Sequence, residues 1–351
     1  MKSLEKIYQS LFFALSLAFS ACSGHHDGHE PQILNINYPA AYVVNGESGN
    51  LSVIRTLDYV STETISLNGA MFPHHVYINP SKTKLAIAIT GKDLSAGHGD
   101  HSQVVQGLKI QIIDAVTGKI DKEIPVSKMP HNAIFNSAGT ELWLGQADDV
   151  KSQVLVYSTD GWSLLKTMDA GKGVSEISFS EDGKYAFACN TNDNTLTIID
   201  AVSKTVLKTL PTGDKPVGAW PGGAGCMFVD NEAGQSITEI IISDSVRIGA
   251  TIPLGFKPGF AAWNKTGEEL WVSDASNGRV VYFEKSPAGE WTVSGNTVTG
   301  ADAHAIAFSA EDKIAWVTNQ GAGTVSVLDA QSHSLIKNIA VGSKPNGIAL
   351  K

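Results

Sequence analysis

Near its C-terminus the chain reads Ala315-Trp316-Val317-Thr318-Asn319 and then, three residues later, Gly323-Thr324-Val325-Ser326-Val327-Leu328-Asp329. Two short runs rich in β-branched and aromatic residues, separated by a glycine-containing loop, are typical of a β-hairpin. The second run has a similar copy upstream, Thr195-Leu196-Thr197-Ile198-Ile199-Asp200. A hairpin that recurs along a chain predicts an architecture built from repeats.

The repeat can be measured from one apolar or aromatic position near the end of the first strand of each copy. That position is occupied by Ile78, Phe135, Phe179, Trp220, Trp263, Phe308 and Leu350. From Phe135 onward the spacings are 44, 41, 43, 45 and 42 residues, a period that suits a four-stranded propeller blade. We count seven blades. The sequence therefore predicts an all-β fold over residues 39–351, a seven-bladed β-propeller of four-stranded antiparallel blades.

The two ends of this region indicate how the propeller closes. Residues Gly347 to Leu350 align with the innermost strand of a blade, whereas Ala41 to Asn45 align with a second strand. We therefore expect blade one to be assembled from both termini, because this pairing removes the exposed edges of an open array. Three tryptophans at strand positions are expected in the core: Trp143, Trp271 and Trp316.

The runs quoted above, together with Ile339-Ala340-Val341-Gly342 and Lys344-Pro345-Asn346-Gly347-Ile348-Ala349, resemble the YVTN family of β-propeller repeats. The resemblance covers roughly residues 40–351 and is specific for the fold. Relatives by fold include propeller lactonases and the cofactor-binding propeller of cytochrome-type nitrite reductases, in which histidines on one face meet a metal or a haem. The resemblance gives little information about function.

The N-terminal residues predict export. Lys2 and Lys6 precede an apolar stretch from Leu11 to Phe19, which is too short to span a bilayer. The following residues, Phe19-Ser20-Ala21-Cys22, resemble the bacterial lipobox, in which the cysteine is lipidated and becomes the first residue of the mature protein. An ordinary signal peptide with an incidental cysteine is the alternative.

These boundaries divide the chain into a lipoprotein-type signal peptide over residues 1–21, a polar His-containing tether over 22–38 and the propeller. We expect Cys22 to carry the lipid and to anchor the protein in the cell envelope, on the periplasmic or outer-surface side. Only Cys189 and Cys226 remain after Cys22, and we expect them to be buried structural thiols.

Composition excludes several classes of function. The chain has 35 acidic and 26 basic residues and no Lys/Arg run, so nucleic acid is not an expected partner. It lacks a CxxCH haem attachment motif, a paired CxxC motif, a GxSxG elbow and a P-loop. We expect a monomer.

Candidate ligands appear where the first strands begin. In four blades that are neighbours in space, in the order seven, one, two and three, this position holds His304, Asn346, His74 and His131. In an antiparallel meander, the loop into the first strand and the loop between the second and third strands emerge on the same face. The polar residues therefore predict an arc at one mouth of the central channel. The adjacent His75 is expected to point elsewhere.

An insertion adds to this face. The spacing from Ile78 to Phe135 is 57 residues, and the excess lies between the second and third strands of blade two, over residues 91–102. This glycine-rich loop contains His98, Asp100 and His101. Because it joins a second strand to a third strand, this loop should emerge on the same face as His74 and His131.

Imidazole and carboxylate groups suit zinc or copper(II). The sequence therefore predicts a metal site formed by His74, His98, Asp100, His101, His131 and His304. Such a site needs neighbours that orient the imidazole rings, and we expect Asn132, Asp149 and Asn346 on this face to serve in that way.

Three functions fit this pattern. The first is a non-catalytic envelope protein that binds a transition metal, or a metal-bearing partner, through the His-bearing face. The second is a scaffold that recognises another protein, because the fold does not dictate chemistry. The third is a propeller enzyme, such as a lactonase or a haem- or metal-dependent oxidoreductase. Whether the chain is an enzyme is left open, with the first function as the main prediction.

Overall fold

The computed structural model describes residues 33–95, 106–223 and 225–351. Within them, 28 strands form seven four-stranded antiparallel sheets, and the helical content is a single 3₁₀ turn at Ala275–Asn277. None of the described residues belongs to a helix with the length and apolar character needed to cross a membrane. The prediction of a seven-bladed β-propeller is confirmed.

The strands of each blade are given from the channel outward. Blade one contains β28 (Pro345–Leu350), β1 (Ala40–Asn45), β2 (Asn50–Arg55) and β3 (Val60–Ser66). Blade two contains β4 (Pro73–Ile78), β5 (Lys84–Ile89), β6 (Lys109–Asp114) and β7 (Ile120–Pro125). Blade three contains β8 (Ala133–Phe135), β9 (Glu141–Gln146), β10 (Gln153–Ser158) and β11 (Leu164–Asp169). Blade four contains β12 (Val174–Phe179), β13 (Tyr185–Asn190), β14 (Thr195–Asp200) and β15 (Thr205–Pro211).

The remaining blades follow the same order. Blade five contains β16 (Pro216–Pro221), β17 (Cys226–Asn231), β18 (Ser236–Ile242) and β19 (Val246–Pro253). Blade six contains β20 (Pro258–Asn264), β21 (Glu269–Asp274), β22 (Arg279–Lys285) and β23 (Trp291–Val298). Blade seven contains β24 (Ala303–Phe308), β25 (Ile314–Asn319), β26 (Thr324–Asp329) and β27 (Leu335–Ala340).

Blade one closes the ring as the sequence predicts. Strand β28 pairs antiparallel with β1, with Tyr42 opposite Ala349 and Val43 opposite Ile348. The strand from the C-terminal end of the chain is thus the innermost strand of the blade that begins the propeller.

The core lies between neighbouring blades. Side chains of the second and third strands are buried on both faces, as in β5 and β14, whereas fourth strands such as β11 are mostly exposed. The three expected core tryptophans are at most 2% exposed. Cys189 is a buried and Cys226 a half-buried free thiol, and burial raises the pKa of Cys226 to about 12.

Candidate metal centre

The inner strands of six blades have a β-bulge close to where the chain enters the strand. In β4 the pairing shifts between His74 and Val76, and in β12 between Val174 and Ile177. Strands β16, β20, β24 and β28 have a bulge at the corresponding place. A bulge re-aims the side chains beside it, and in β4 it brings two consecutive histidines, His74 and His75, into one cluster.

The His–Glu cluster consists of His74, His75, His131 and Glu176. Each residue offers one ligand-type atom, these atoms lie within 4.8 Å of one another, and all four residues are buried. Glu176 Oε1 lies 2.6 Å from His131 Nδ1 and 3.0 Å from His75 Nε2. A buried carboxylate is costly unless it is paired, and both ion-pair partners that the structure gives Glu176 are imidazoles.

The electrostatics keep this carboxyl group ionised. Burial acts to raise the pKa of Glu176, but the charges and hydrogen bonds of His75 and His131 outweigh it and hold the pKa well below its usual range. The second oxygen, Oε2, accepts a hydrogen bond of 3.1 Å from the Tyr77 hydroxyl. Burial, and then the Glu176 charge, raise the pKa of Tyr77 well above its usual value. Tyr77 therefore remains a donor and fixes the carboxylate.

Hydrogen bonds to backbone carbonyls select the tautomers of two rings. Nδ1 of His74 lies 3.3 Å from the His131 carbonyl oxygen, and Nδ1 of His304 lies 2.9 Å from that of Asn346. A carbonyl oxygen can only accept, so each Nδ1 carries the proton. The lone pair of the neutral ring is then on Nε2, the arrangement expected of a metal ligand or a proton acceptor.

The sequence-predicted His304 lies beside the cluster rather than in it. Its ring centroid is 5.8 Å from that of His75 and 6.4 Å from that of His74. The residue is buried. It therefore borders the cluster from blade seven.

Two asparagines hold the strands that carry the cluster. Asn132 donates from Nδ2 to the Ile177 carbonyl at 2.8 Å and accepts from the Ile177 N–H at 3.0 Å, next to Glu176. Asn346 donates to the Pro73 carbonyl at 3.1 Å and accepts from the His75 N–H at 3.3 Å. Asn132 and Asn346 thus lie on this face and anchor the backbone of the neighbouring blades.

Asp149 differs from the expectation. It is an exposed residue that accepts a hydrogen bond of 2.8 Å from Asn192. It lies in the loop between β9 and β10, at the solvent-exposed surface.

The insertion is described only at its base. His98, Asp100 and His101 lie outside the described residues, as does Cys22. At the base, Leu94 is 1% exposed, and Lys344 pairs with Asp93 and donates to Ser95 at 3.1 Å. His74 and Leu94 line the same small pocket. The start of the insertion therefore covers His74.

Two cluster residues were missed by the sequence reasoning. His75 was expected to point elsewhere, and Glu176 was not among the predicted ligands. The bulge accounts for both errors, because it places the residue after the aligned position next to the channel. A signal was present: the residues that follow the aligned positions in blades five, six and seven are Gly218, Phe260 and Ala305, so a glutamate in this series stands out.

The donor set fits a divalent transition metal. Neutral imidazole nitrogens and an ionised carboxylate are the ligands that zinc, copper and iron accept in proteins. Because Glu176 Oε1 already accepts from two rings, the arrangement also resembles a carboxylate that orients metal-binding histidines. In both cases His74, His75 and His131 would hold the ion.

Comparison with known proteins supports the fold and corrects the functional prediction. No family model matches the chain. YncE of Salmonella typhimurium, described as uncharacterized, is 22% identical over 68% of this chain and 70% of its own length.

Two solved structures are similar over most of the chain. The periplasmic gluconolactonase PpgL of Pseudomonas aeruginosa is 17% identical, with a TM-score of 0.70 over 89% of this chain and 98% of that protein. The dihydro-heme d1 dehydrogenase NirN is 14% identical, with a TM-score of 0.64 over 88% of this chain and 74% of that one. At such identities the likeness shows the fold alone. Both neighbours are enzymes, however, and this finding overturns the main prediction of a non-catalytic binding protein in favour of the enzyme alternative.

Proposed function

We propose that the protein is a metal-dependent hydrolase of small cyclic esters, with its active centre at the His–Glu cluster. The observation that carries the proposal is a fully buried, ionised Glu176 whose ion-pair partners are two imidazoles, with a third imidazole in the same group. Groups with strongly shifted pKa values in a channel are typical of active sites.

The residues of the chain have separate roles in this proposal. His74, His75 and His131 hold the ion, and Glu176 and Tyr77 fix the rings. When bound, the metal would polarise the ester carbonyl and make water more acidic. His304, whose tautomer leaves the lone pair on Nε2, is the group that would accept a proton from the attacking water.

The substrate class is supported by the similarity to PpgL, which is named a gluconolactonase. A lactone is a compact molecule, and a divalent metal can speed its hydrolysis by polarising the ester carbonyl. The similarity to NirN supports the other enzyme class, an oxidoreductase. The imidazole-rich cluster is compatible with both, so the test must separate them.

The test uses the purified propeller, residues 33–351, so that the His-containing tether does not contribute metal. We expect the purified protein to contain about one equivalent of a transition metal. We also expect it to hydrolyse glucono-1,5-lactone, which is measured by the release of acid. A chelator should remove both and added metal should restore both. His75→Ala and Glu176→Gln should lower the rate by about 100-fold or more, because loss of a ligand or of the group that orients it weakens metal binding and the chemistry together.

His333→Ala is the matched control. His333 also pairs with a carboxylate, at 2.8 Å from Glu269 Oε2, but in blade seven and away from the cluster, so its loss should leave both metal content and rate unchanged. Metal-loaded protein that hydrolyses no lactone would rule out this substrate class. A visible absorption band from a bound cofactor would instead favour the oxidoreductase.

We also propose that the chain is exported and anchored through a lipid on Cys22, and that its repeats are of the YVTN type. The motifs in residues 1–22 and in β25 to β28 support these two proposals. The lipid anchor places the enzyme at the cell envelope.

A further inference from the structure

The His–Glu cluster has an aromatic neighbour, Phe260 on β20 of blade six. The centroid of its ring lies 6.4 Å from that of His75 and 6.5 Å from that of His304. These two histidines are only 5% and 7% exposed, whereas Phe260 is half-buried. Phe260 therefore lies at the margin of the cluster, between the closed imidazole group and solvent.

The repeat shows that the position of Phe260 is one that meets the channel. Phe260 follows the aligned position of its blade, as His75 does in blade two and Glu176 in blade four. The bulge of β20 lies between Pro258 and Phe260, and a bulge re-aims the side chains beside it. Blade five has Gly218 at this position, so the repeat itself does not require an aromatic ring.

Contacts from blade five hold the Phe260 ring in place. It packs on the indole of Trp220, with 3.7 Å between the ring centroids, and Trp220 Nε1 donates to the buried Asp230 carboxyl group at 2.7 Å. Phe260 and Trp220 thus form an aromatic pair that is fixed before a ligand arrives. A pre-organised contact binds more tightly, because less conformational entropy is lost on binding.

The surroundings of the cluster therefore have two unlike sides. Blades two, three and four supply the imidazoles and the carboxylate, and blades five and six supply the aromatic pair. An ion held by the cluster would bind the polar group of a ligand. The part of the ligand next to that group would then meet Phe260, because the Phe260 ring lies beside His75. An aromatic face of this kind attracts apolar and aromatic rings.

We propose that Phe260 is a specificity-determining residue, which selects ligands that carry an aromatic or apolar ring next to the group that binds the ion. The inference rests on the proposed function, because it requires an ion held by His74, His75 and His131. It narrows the substrate class to cyclic esters with an apolar ring or substituent.

The test uses acetohydroxamate and benzohydroxamate, which share a metal-binding group and differ by a methyl and a phenyl group. Their affinities for the zinc-loaded protein are measured by isothermal titration calorimetry on residues 33–351, which form the closed ring of seven blades. We expect benzohydroxamate to bind about three- to tenfold more tightly, the effect of one aromatic contact. Phe260→Ala should remove this preference and leave the zinc content unchanged, whereas Phe260→Tyr should keep both.

Phe308→Ala is the matched control. Phe308 is also a half-buried phenylalanine of an inner strand and packs against a tryptophan, Trp271, at 5.0 Å between ring centroids. It lies at the opposite end of β24 from His304, so its loss should leave the preference for benzohydroxamate intact. If Phe260→Ala fails to fold, Phe260→Leu, which removes the ring but keeps an apolar side chain, should lose most of the preference.

The outcomes separate this inference from the proposed function. Equal affinities of the parent for the two hydroxamates, or a preference that survives the loss of the Phe260 ring, would overturn the inference alone. A preference that depends on Phe260 in a protein that hydrolyses no lactone would support the inference and rule out the proposed reaction. A protein that takes up no zinc would overturn both.

Discussion

Asp230 shows how a single buried acid can influence the whole propeller. It is 1% exposed and lies on β17, opposite the bulge of β16. Its Oδ1 accepts hydrogen bonds from the Gly218 N–H at 3.0 Å and from Trp220 Nε1 at 2.7 Å. A Cβ at position 218 would lie 2.1 Å from the Trp220 ring, so the glycine is needed for this contact. Burial raises the pKa of Asp230 to about 7, although the two hydrogen bonds act in the opposite direction.

This pKa predicts a pH-dependent stability. Between pH ~4 and pH ~7 the unfolded chain has lost the proton, at its ordinary pKa of ~3.9, while the folded chain keeps it. The free energy of unfolding should therefore fall as pH rises through that window, by up to about 1.4 kcal/mol per pH unit, and level off above it. Asp230→Asn keeps the acceptor oxygen and cannot ionise. We expect it to be more stable than the parent at pH 8, by on the order of 3 kcal/mol, and similar at pH 4, as measured by denaturant unfolding.

Asp230→Ala provides the control for that experiment. It removes the acceptor for both hydrogen bonds and should be less stable than the parent at pH 4. Identical pH profiles for the parent and Asp230→Asn would show that the Asp230 carboxyl group titrates normally.

Individual residues also explain why the candidate site was only partly predictable from the sequence. His74, His131 and His304 could be found because they occupy one repeat-equivalent position, which a period of 41 to 45 residues makes visible. His75 and Glu176 were missed, because a bulge adds a residue without changing the hydrophobic pattern of the strand; only the glutamate at a position that is Gly218, Phe260 or Ala305 in other blades gave a signal. The role of Asp149 stays a prediction, because spacing along a loop does not fix where a side chain points.

At the scale of the element, β28 is the strand on which closure depends. Five of its six residues are paired with β1, and its residue Asn346 binds the backbone of β4 at two points. At Gly347 a Cβ would lie 2.6 Å from the His75 Cα. The strand therefore joins blade one to blade two at the cluster.

Deletion of residues 345–351 should open the propeller. It removes a buried strand, at a cost on the order of 5 kcal/mol, and leaves an unpaired edge on β1. We expect a lower melting temperature and concentration-dependent aggregation. A synthetic peptide of residues 343–351, added in excess, should raise the melting temperature again, whereas a scrambled peptide should not. An unchanged melting temperature would contradict the role of β28 in closure.

Strand identity was the most predictable property of this chain. The third strands β6, β10, β14 and β26 are rich in Val, Ile and Leu because both faces are covered by neighbouring blades. The fourth strands were harder to place, since β11 and β15 are exposed over most of their length and have little apolar patterning.

At the scale of the molecule, the propeller has two unlike faces. One carries the cluster and the base of the insertion, and the other carries the turns that join the first and second strands of the blades. The proposed lipid at Cys22 would hold this body near a membrane through the tether of residues 22–38, so the anchor and the His–Glu cluster can be tested separately.

Cys22→Ser should release the protein from the membrane fraction. A single thioether-linked lipid anchor depends on that sulfur, and a hydroxyl group cannot replace it in the modification. Cells that express the variant are fractionated and the protein is followed by immunoblot. Cys226→Ser, which changes a half-buried thiol of β17, is the matched control and should remain with the membrane. Equal membrane retention of Cys22→Ser and the parent would refute the anchor.

Six inner strands form their bulge by pairing with the second strand of their own blade, so the same backbone feature recurs around the channel whichever side chains it carries. Substitutions beside the bulges can therefore change the side chains at the channel while the backbone pattern of the strands is kept. The side chains beside the bulges differ from blade to blade. Histidine and glutamate occupy positions at which other blades of this chain have glycine, alanine or phenylalanine. Two chains with this architecture need not share a ligand, and the residues beside the bulges, rather than overall identity, are the place to look for the difference.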